Sequence, residues 1–499
     1  MSTNKAVQPA LWEPCDSPEE QKATGAYYTP SAVVGSLVSW SVRRATDRML
    51  DPSCGDGRFL KAHPNSVGVE QDPDACAVVH QRSPGSLIHQ GDFFSWAEQT
   101  RERFDCAAGN PPFIRYQRFT GKVREAAQRL CKHHGAVFSS LSSSWAPFLV
   151  ATASLLKPGG RMAFVVPAEI GHAPYAAPVL EYMSRHFDGV QVVAVREKLF
   201  PELSEDCWLL YADGYGGSTE YIRFTALERF AACERPPRSG ISVTVAEWRG
   251  WNSRLRPFLL CDDARDLYKR ATEHARSRRL GDVSRVGIGY VTGANDFFHL
   301  RPSVAERLGI SRRVLHTAVR NGKSLGGGSI DEARVQSWLT ADDPVLLLRL
   351  DREMELSSPV GRYLDSEAAH QARATYKCRN RDPWYVVPDV TVPDGFLSYM
   401  SGDGPSLVAN RAACVCTNSV HAVHLTNGLT MAKLTKLWAQ PLTALSCEVE
   451  GHPLGGGMLK VEPREAARIL LSVAAVRGET DKEVVTSAVA TMKRWRHYV

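Results

Sequence analysis

Four consecutive apolar runs each end on a carboxylate or a carboxamide, and that repeat restricts what the chain can fold into. Met49-Leu50 leads into Asp51, Ser66-Val67-Gly68-Val69 into Glu70, Leu87-Ile88-His89 toward Asp92, and Phe104-Asp105-Cys106-Ala107-Ala108-Gly109 into Asn110. Each run has the length and composition of a buried strand closed by a turn. Further strands are expected at Met162–Val166, Val190–Val195, Cys207–Tyr211 and, last, Glu220–Phe224, with strand and helix alternating up to the last two. This predicts an α/β fold with a doubly wound, mostly parallel sheet and an antiparallel edge. Sheets of that kind bind ligands beyond the C-terminal ends of their strands. All four polar residues fall there.

The first of these turns is Asp51-Pro52-Ser53-Cys54-Gly55-Asp56-Gly57, followed by Arg58-Phe59-Leu60. Gly55 and Gly57 permit positive φ and close approach of a ligand to the backbone. The run departs from the six-residue glycine pattern of dinucleotide sites, which argues against a nicotinamide cofactor. Carboxylates beside a helix N-terminus suit a cationic or amine-bearing ligand better than a pyrophosphate. Glu70 lies nineteen residues after Asp51, the distance at which an acid holds ribose hydroxyls in nucleotide-binding α/β folds.

Asn110-Pro111-Pro112-Phe113 follows the fourth strand. The Asn oxygen can accept one N–H of a planar amino group, and the Pro111 carbonyl can accept the other. Proline restricts φ and so holds that carbonyl rigidly. Phe113 offers a π face for a flat ring. Such a clamp leaves the nitrogen lone pair free to attack, and no catalytic histidine is required.

With these motifs in place, the sequence resembles the gamma class of DNA adenine N6-methyltransferases of restriction–modification systems. The resemblance rests on Thr24-Gly25-Ala26-Tyr27-Tyr28-Thr29-Pro30, Asp51 to Gly57, Glu70, Asp92-Phe93, Asn110 to Phe113 and the strand Arg161 to Pro167, in that order. One departure is Phe113, where that class more often has Tyr; either ring can stack. The resemblance implies a class I S-adenosylmethionine-dependent methyltransferase sheet. It places Tyr27, Tyr28, Thr29, Pro30, Asp51, Ser53, Cys54 and Gly55 near the methionine end of S-adenosylmethionine, Glu70 on the ribose, and Asp92 and Phe93 on the cofactor's adenine. It also implies that Asn110, Pro111, Pro112 and Phe113 grip a base flipped from double-stranded DNA. Phe200, in Lys198-Leu199-Phe200-Pro201, resembles a second aromatic contact to that base. A cognate restriction endonuclease acting separately is an implied partner.

The 499 residues carry a net charge of +6 with 43% hydrophobic and 23% charged residues, as in an ordinary globular chain with room for two to four domains. The distribution of charge says more. Arg115, Arg118, Lys122, Arg124, Arg129 and Lys132 follow the Asn-Pro-Pro-Phe loop, with Glu125 the only acid among them. Arg115 and Arg118 are therefore candidates for DNA phosphate contact. The twelve cysteines show no paired framework and no complete zinc pattern, so reduced thiols and no metal are expected. The absence of a leader and of an apolar membrane-length run predicts a cytoplasmic monomer or dimer with no membrane association.

The expected organisation is an N-terminal arm over residues 1–20, a catalytic domain over 21–238, and a target-recognition region of mixed α+β structure over 239–499. The boundary is set at the breaker-rich Glu234-Arg235-Pro236-Pro237-Arg238-Ser239-Gly240. In the second half, helices are expected at Cys261–Arg276 and Arg464–Val473. Lys377, Arg379 and Arg381 are the candidate DNA contacts there, with Trp384 and Tyr385 as core anchors. Two alternatives stay open. One is an enzyme acting on another planar amino group, such as cytosine N4, an RNA base or a protein glutamine. The other is a non-catalytic scaffold on the same fold, against which the intact Asp51, Glu70, Asp92 and Asn110 argue.

Overall fold

The computed structural model describes residues 29–499 except 327, 427, 473–475, 477 and 499. Tyr27 and Tyr28 lie outside the described residues. The chain divides into two compact units at Arg256 and Pro257.

The first unit begins with α1 (Ser31–Ser41), then β1 (Met49–Asp51), α2 (Arg58–Ala62), β2 (Ser66–Glu70), α3 (Pro73–Arg82), β3 (Leu87–Gln90) and α4 (Phe93–Gln99). It continues through β4 (Phe104–Gly109), α5 (Gly121–His133), α6 (Trp145–Ala153), β5 (Leu156–Pro167), α7 (Ala177–His186) and β6 (Phe187–Val195). The last elements are β7 (Cys207–Tyr215), β8 (Tyr221–Leu227), β9 (Ile241–Thr244) and α8 (Val245–Gly250). The nine strands form one sheet in the order β3-β2-β1-β4-β5-β7-β6-β8-β9. The chain order reverses between β1 and β4, which are parallel neighbours, and this opens a crevice at their C-terminal ends.

Burial on both faces explains why the central strands are continuously apolar. Met162 to Val166 of β5 are completely buried. One face packs on α1 through Leu37, Val38, Met49, Ala108, Val165 and Leu209. Every residue of α6 is buried, so this helix is apolar all round rather than amphipathic. Helix starts are set locally: Asp72 caps α3 by accepting from Asp74 N at 2.9 Å, and Asp92 caps α4 by accepting from Ser95 N at 2.8 Å.

Two expectations about this unit need correction. The sheet does have an antiparallel edge, but it is β9, and a second antiparallel strand lies inside: β7 is inserted between β5 and β6 and pairs antiparallel with both. The breaker-rich segment at 234–240 is not the end of the sheet. It is a connection into β9, which pairs antiparallel with β8. The Gln191 side chain donates to the Pro237 carbonyl at 2.8 Å and Thr225 Oγ1 donates to the Ser239 carbonyl at 2.7 Å, so the connection is fastened to the sheet it was expected to leave.

The second unit contains a five-stranded sheet ordered Ser284–Ile288, Val420–Leu425, Gly395–Ser398, Leu407–Asn410 and Ser329–Ile330, and a four-stranded sheet built around Leu346–Leu348. Helices Asp262–Glu273 and Gly478–Trp495 are its longest. The helix expected to reach residue 473 spans only Pro463–Arg468. Beyond it, Leu470 and Leu471 are extended and pair with Arg278 and Arg279. Both leucines are 1% exposed, and the Leu470 N–H donates to Ser446 Oγ at 2.8 Å, so burial on two sides overrides helical propensity. Among the described residues no cysteine is bridged, and no group of three His, Cys, Asp or Glu side chains is placed to hold a metal ion. No described helix is long and apolar enough to cross a membrane.

Candidate active site

The C-terminal ends of β1, β2, β3 and β4 open on one cavity of about 230 Å³. Of the expected site residues, Thr29, Ser53, Cys54, Gly55, Glu70, Asp92, Phe93, Asn110 and Pro112 line it. Asp51 lies behind this wall, 1% exposed. Its Oδ1 accepts from the Ser53 N–H at 3.2 Å, while the buried Oδ2 has no hydrogen-bond partner among the described residues. Burial pushes the Asp51 carboxyl up to about 8; the Ser53 N–H pulls the other way, and the charges of Glu70 and Asp56 add to the rise. Burial also raises the Cys54 thiol, with the Asp51 and Glu70 charges next, so this thiol stays protonated.

Backbone geometry makes room for the carboxyl. A Cβ on Gly109, the last residue of β4, would stand 2.7 Å from Asp51 Oδ1 and 3.1 Å from Phe164. Only glycine leaves that contact open. Gly57 has φ +80° as the residue preceding α2, a left-handed conformation that side chains resist. Asp56 is held by Arg58 at 2.9 Å and by Arg82, and Arg58 also donates to the Thr29 carbonyl at 3.2 Å. The turn is thereby tied to the segment before α1.

Glu70 accepts the backbone N–H of Gly55 at 2.9 Å on one oxygen, and those of Gln71 at 2.8 Å and Asp72 at 2.9 Å on the other. Three donors hold the carboxylate in one orientation at the cavity wall. Asp92 uses Oδ1 for Ser95 N and Ser95 Oγ, both at 2.8 Å. Phe93 stacks on Phe148 with centroids 5.0 Å apart, giving the cavity an aromatic side.

The Asn110-Pro111-Pro112-Phe113 loop is fixed by a residue that the sequence did not single out. Ser144 Oγ donates to the Pro112 carbonyl and accepts from Ile114 N at 3.0 Å, while Ser144 N donates to the Ile114 carbonyl at 3.0 Å. The Pro111 carbonyl makes no hydrogen bond among the described residues, so one proline carbonyl is anchored and its neighbour, on a buried residue behind the cavity lining, is not. Ser53 Oγ donates to the Asn110 carbonyl at 3.3 Å and joins this loop to the first turn. No local signal marks Ser144, which lies 30 residues downstream of Ile114. Its part depends on the fold bringing the start of α6 under the loop.

Phe113 is half-buried, packs on the core beneath the sheet and, like Pro30 and Pro111, is not among the residues lining the cavity. Phe200 requires a correction. It is 4% exposed, within the same core cluster as Leu199 and Leu203, and does not line the cavity. The turn after Lys198 folds its apolar side chains inward, where their burial is most favourable. Arg115 is exposed and pairs with Glu205 at 2.6 Å; Arg118 is exposed without an ion pair among the described residues. In the second unit Lys377 and Arg379 are exposed on the short helix Tyr376–Arg379. Arg381 is instead committed to structure, donating to the carbonyls of Val291 and Thr292. Trp384 and Tyr385 are partly buried against a core cluster.

Comparison with known proteins reaches both halves. Residues 78–200 match the family model "Eco57I restriction-modification methylase", and residues 252–497 match "Type II methyltransferase M.Eco57I, C-terminal domain". The chain belongs to the restriction–modification DNA methyltransferases. The Type II methyltransferase M.XamI of Xanthomonas campestris pv. amaranthicola is 23% identical to this methyltransferase over 470 residues, covering 89% of the chain and 84% of that protein. M.AccI of Acinetobacter calcoaceticus is 18% identical over 498 residues, covering 94% and 89%. The restriction–modification enzyme MmeI, solved in complex with DNA, has the same fold. Its TM-score is 0.53 at 11% identity, over 95% of this methyltransferase and 71% of MmeI. The first unit carries the doubly wound α/β sheet that the sequence predicts.

Proposed function

We propose that this methyltransferase transfers a methyl group from S-adenosylmethionine to N6 of an adenine flipped from double-stranded DNA, protecting host sites in a restriction–modification or related defence system. The observation that carries the reading is the cavity itself. Asn110 lines the same opening as Glu70 and Asp92, with the Asp51 carboxyl behind.

The cofactor is tested against the donor set. A buried carboxyl with one oxygen lacking a partner calls for a cation, and the ammonium of a methionine moiety is one. A carboxylate oriented by three backbone donors suits the hydroxyls of a ribose. An acid beside a phenylalanine stack suits an adenine and its amino group. Thr29, Pro30, Asp51, Ser53, Cys54 and Gly55 would hold the methionine end, Glu70 the ribose, and Asp92 and Phe93 the base. Bound there, S-adenosylmethionine supplies an electrophilic methyl on a sulfonium sulfur.

The residues of the loop prepare the acceptor. The amide oxygen of Asn110 and the carbonyl of Pro111 accept the two hydrogens of the target amine. This favours a tetrahedral nitrogen and localises a lone pair that the ring would otherwise delocalise. The proton leaves after attack, so no strong base has to act first. Ser144 holds the Pro112 carbonyl so that the loop's geometry is set before substrate arrives, which lowers the cost of orientation. Extruding the base costs a few kcal/mol. Stacking on Phe113 returns about 1–3 kcal/mol of it. Arg115 and Arg118 would meet the backbone beside the loop. The exposed pair of Arg115 with Glu205 is worth about 1 kcal/mol or less, so a phosphate can displace the carboxylate.

The test is expression in a host free of DNA methylation, followed by modification-sensitive long-read sequencing of its DNA. One sequence motif carrying methylated adenine supports the reading. Methylated cytosine in its place would transfer the assignment to cytosine N4, and unmodified DNA would reject a DNA substrate.

A further inference from the structure

A second cleft, of about 620 Å³, lies within the C-terminal unit and takes no part in the site above. His370, Arg373 and Arg379 contribute exposed cationic or protonatable groups to it, and Asp382 is the one carboxylate among its lining residues. None of these three side chains forms an ion pair among the described residues. Arg379 only stacks over the Tyr376 ring, at 5.5 Å. Some other arginines of this unit are paired: Arg265 with Asp262, Arg468 with Glu450 and Arg496 with Glu448. Unneutralised cations gathered in a concavity repel one another and focus a positive potential.

The cleft is also rigid. Arg381, on its wall, is fastened to the carbonyls of Val291 and Thr292. Trp384, on the same wall, packs on Phe297 at 5.5 Å, and Phe297 lies parallel to Tyr363 at 4.7 Å. Gly293, with φ +84°, lets the helix bearing Lys377 approach: a Cβ there would meet Lys377 Cβ at 2.6 Å. A fixed apolar wall beside mobile guanidinium groups suits an anion attached to a flat or apolar moiety. A free small anion would leave the tryptophan unused.

We propose that this cleft is a phosphate clamp for duplex DNA, in which Arg373, Arg379 and His370 bind one backbone phosphodiester and Trp384 packs against the adjoining sugar. The proposal rests on the DNA-methylating reading above. It assigns His370 and Arg373, which no sequence motif marked, and gives Arg381 a supporting role in place of direct contact. The clamp positions the recognition unit and carries no base specificity of its own.

The test measures duplex affinity by fluorescence anisotropy across about 50 to 200 mM salt for the full chain, wild type against Arg373→Gln and the His370→Gln/Arg379→Gln double variant. Glutamine keeps much of the arginine stem, and these positions are exposed, so thermal melts should match wild type. Losing the single clamped phosphate should reduce the log–log salt slope by at most about 0.9, with KM for DNA raised and kcat unchanged. In a duplex whose phosphates are replaced one at a time by neutral methylphosphonates, one position should weaken wild type and leave Arg373→Gln unaffected. An unchanged slope together with identical sensitivity at every position would overturn the clamp. So would inorganic phosphate stabilising wild type but not the variants while their DNA binding stays equal, since the ligand would then be a free anion. A wild-type chain that binds no duplex would overturn the parent reading, which separates the two failures.

Discussion

A cationic ligand that completes Asp51 must displace a proton, and the structure sets the size of that effect. Burial holds the carboxyl protonated up to about pH 8 in the empty protein, against 3.8 for an ordinary Asp. At pH 6 only about one carboxyl in a hundred is then ionised. Binding an ammonium requires the ionised form, so affinity should rise about tenfold per pH unit and about a hundredfold between pH 5.5 and 7.5. An α-amino group titrates near 7.7 to 8.0, so the ligand remains an ammonium over most of that range. Titration calorimetry with S-adenosylhomocysteine in buffers of different ionisation enthalpy would read both the slope and the proton released. Asp51→Asn should bind weakly and with no slope. The empty protein should show the converse trend in stability. Its folded-state value lies above the unfolded one, so the unfolded chain ionises first as pH climbs. The stability present below about 3.8 is then lost progressively toward pH 8, on the order of a few kcal/mol. Asp51→Asn should therefore melt higher than wild type at pH 8 and not at pH 4. A wild-type affinity that is flat from pH 5.5 to 7.5, or an Asp51→Asn variant that keeps the slope, would refute the linkage.

Other expectations follow from the same site. Asn110→Ala should lose methyl transfer by at least about a hundredfold while cofactor affinity, read by calorimetry, is kept, because the missing acceptor acts on the target nitrogen. Phe113→Ala should cost about 1–3 kcal/mol of target binding in single-turnover methylation, and Phe113→Trp much less; equal losses would remove stacking from the account. Gly109→Ala drives a Cβ to 2.7 Å from Asp51 Oδ1 and should weaken cofactor binding more than it lowers the melting temperature, as a paired thermal and calorimetric measurement would show. Ser144→Ala leaves the Pro112 carbonyl and the Ile114 N–H without their hydroxyl, at about 1–3 kcal/mol, and should lower kcat with little change in KM for cofactor.

The strand ends were legible because their signal is local. Each polar residue stands at or just past the end of a strand, and a parallel sheet brings such ends to one edge whatever the loops do. Glu70 could be placed by its spacing from Asp51, and Asp92 by its position just past the third strand. Ser144 could not, because its meaning lies in a contact across 30 residues that only the packing of α6 creates. The position of β7 was misread for the same reason. Its composition is that of any buried strand, and insertion between β5 and β6 is a matter of pairing partners. Arg381 misled through composition: a guanidinium in a basic, aromatic stretch reads as a ligand contact until the carbonyls of Val291 and Thr292 claim it. Phe200 misled through resemblance, since the motif survives where the side chain has turned into the core.

The division of labour between the two proline carbonyls bears on why the loop needs both prolines. A single restrained carbonyl would aim at the substrate but could swing with the loop. Here the second proline restricts the backbone one residue on, and its carbonyl is captured by Ser144, so the first can only point where the pair allows. The residue before a proline is itself kept out of the helical region, so Pro112 also constrains Pro111. Rigidity is therefore built from covalent restraint on one side and a buried hydroxyl on the other. This division implies that Pro112→Ala and Ser144→Ala weaken the same restraint. Their effects on kcat should be less than additive, since either change alone already frees the carbonyl proposed to accept from the amine.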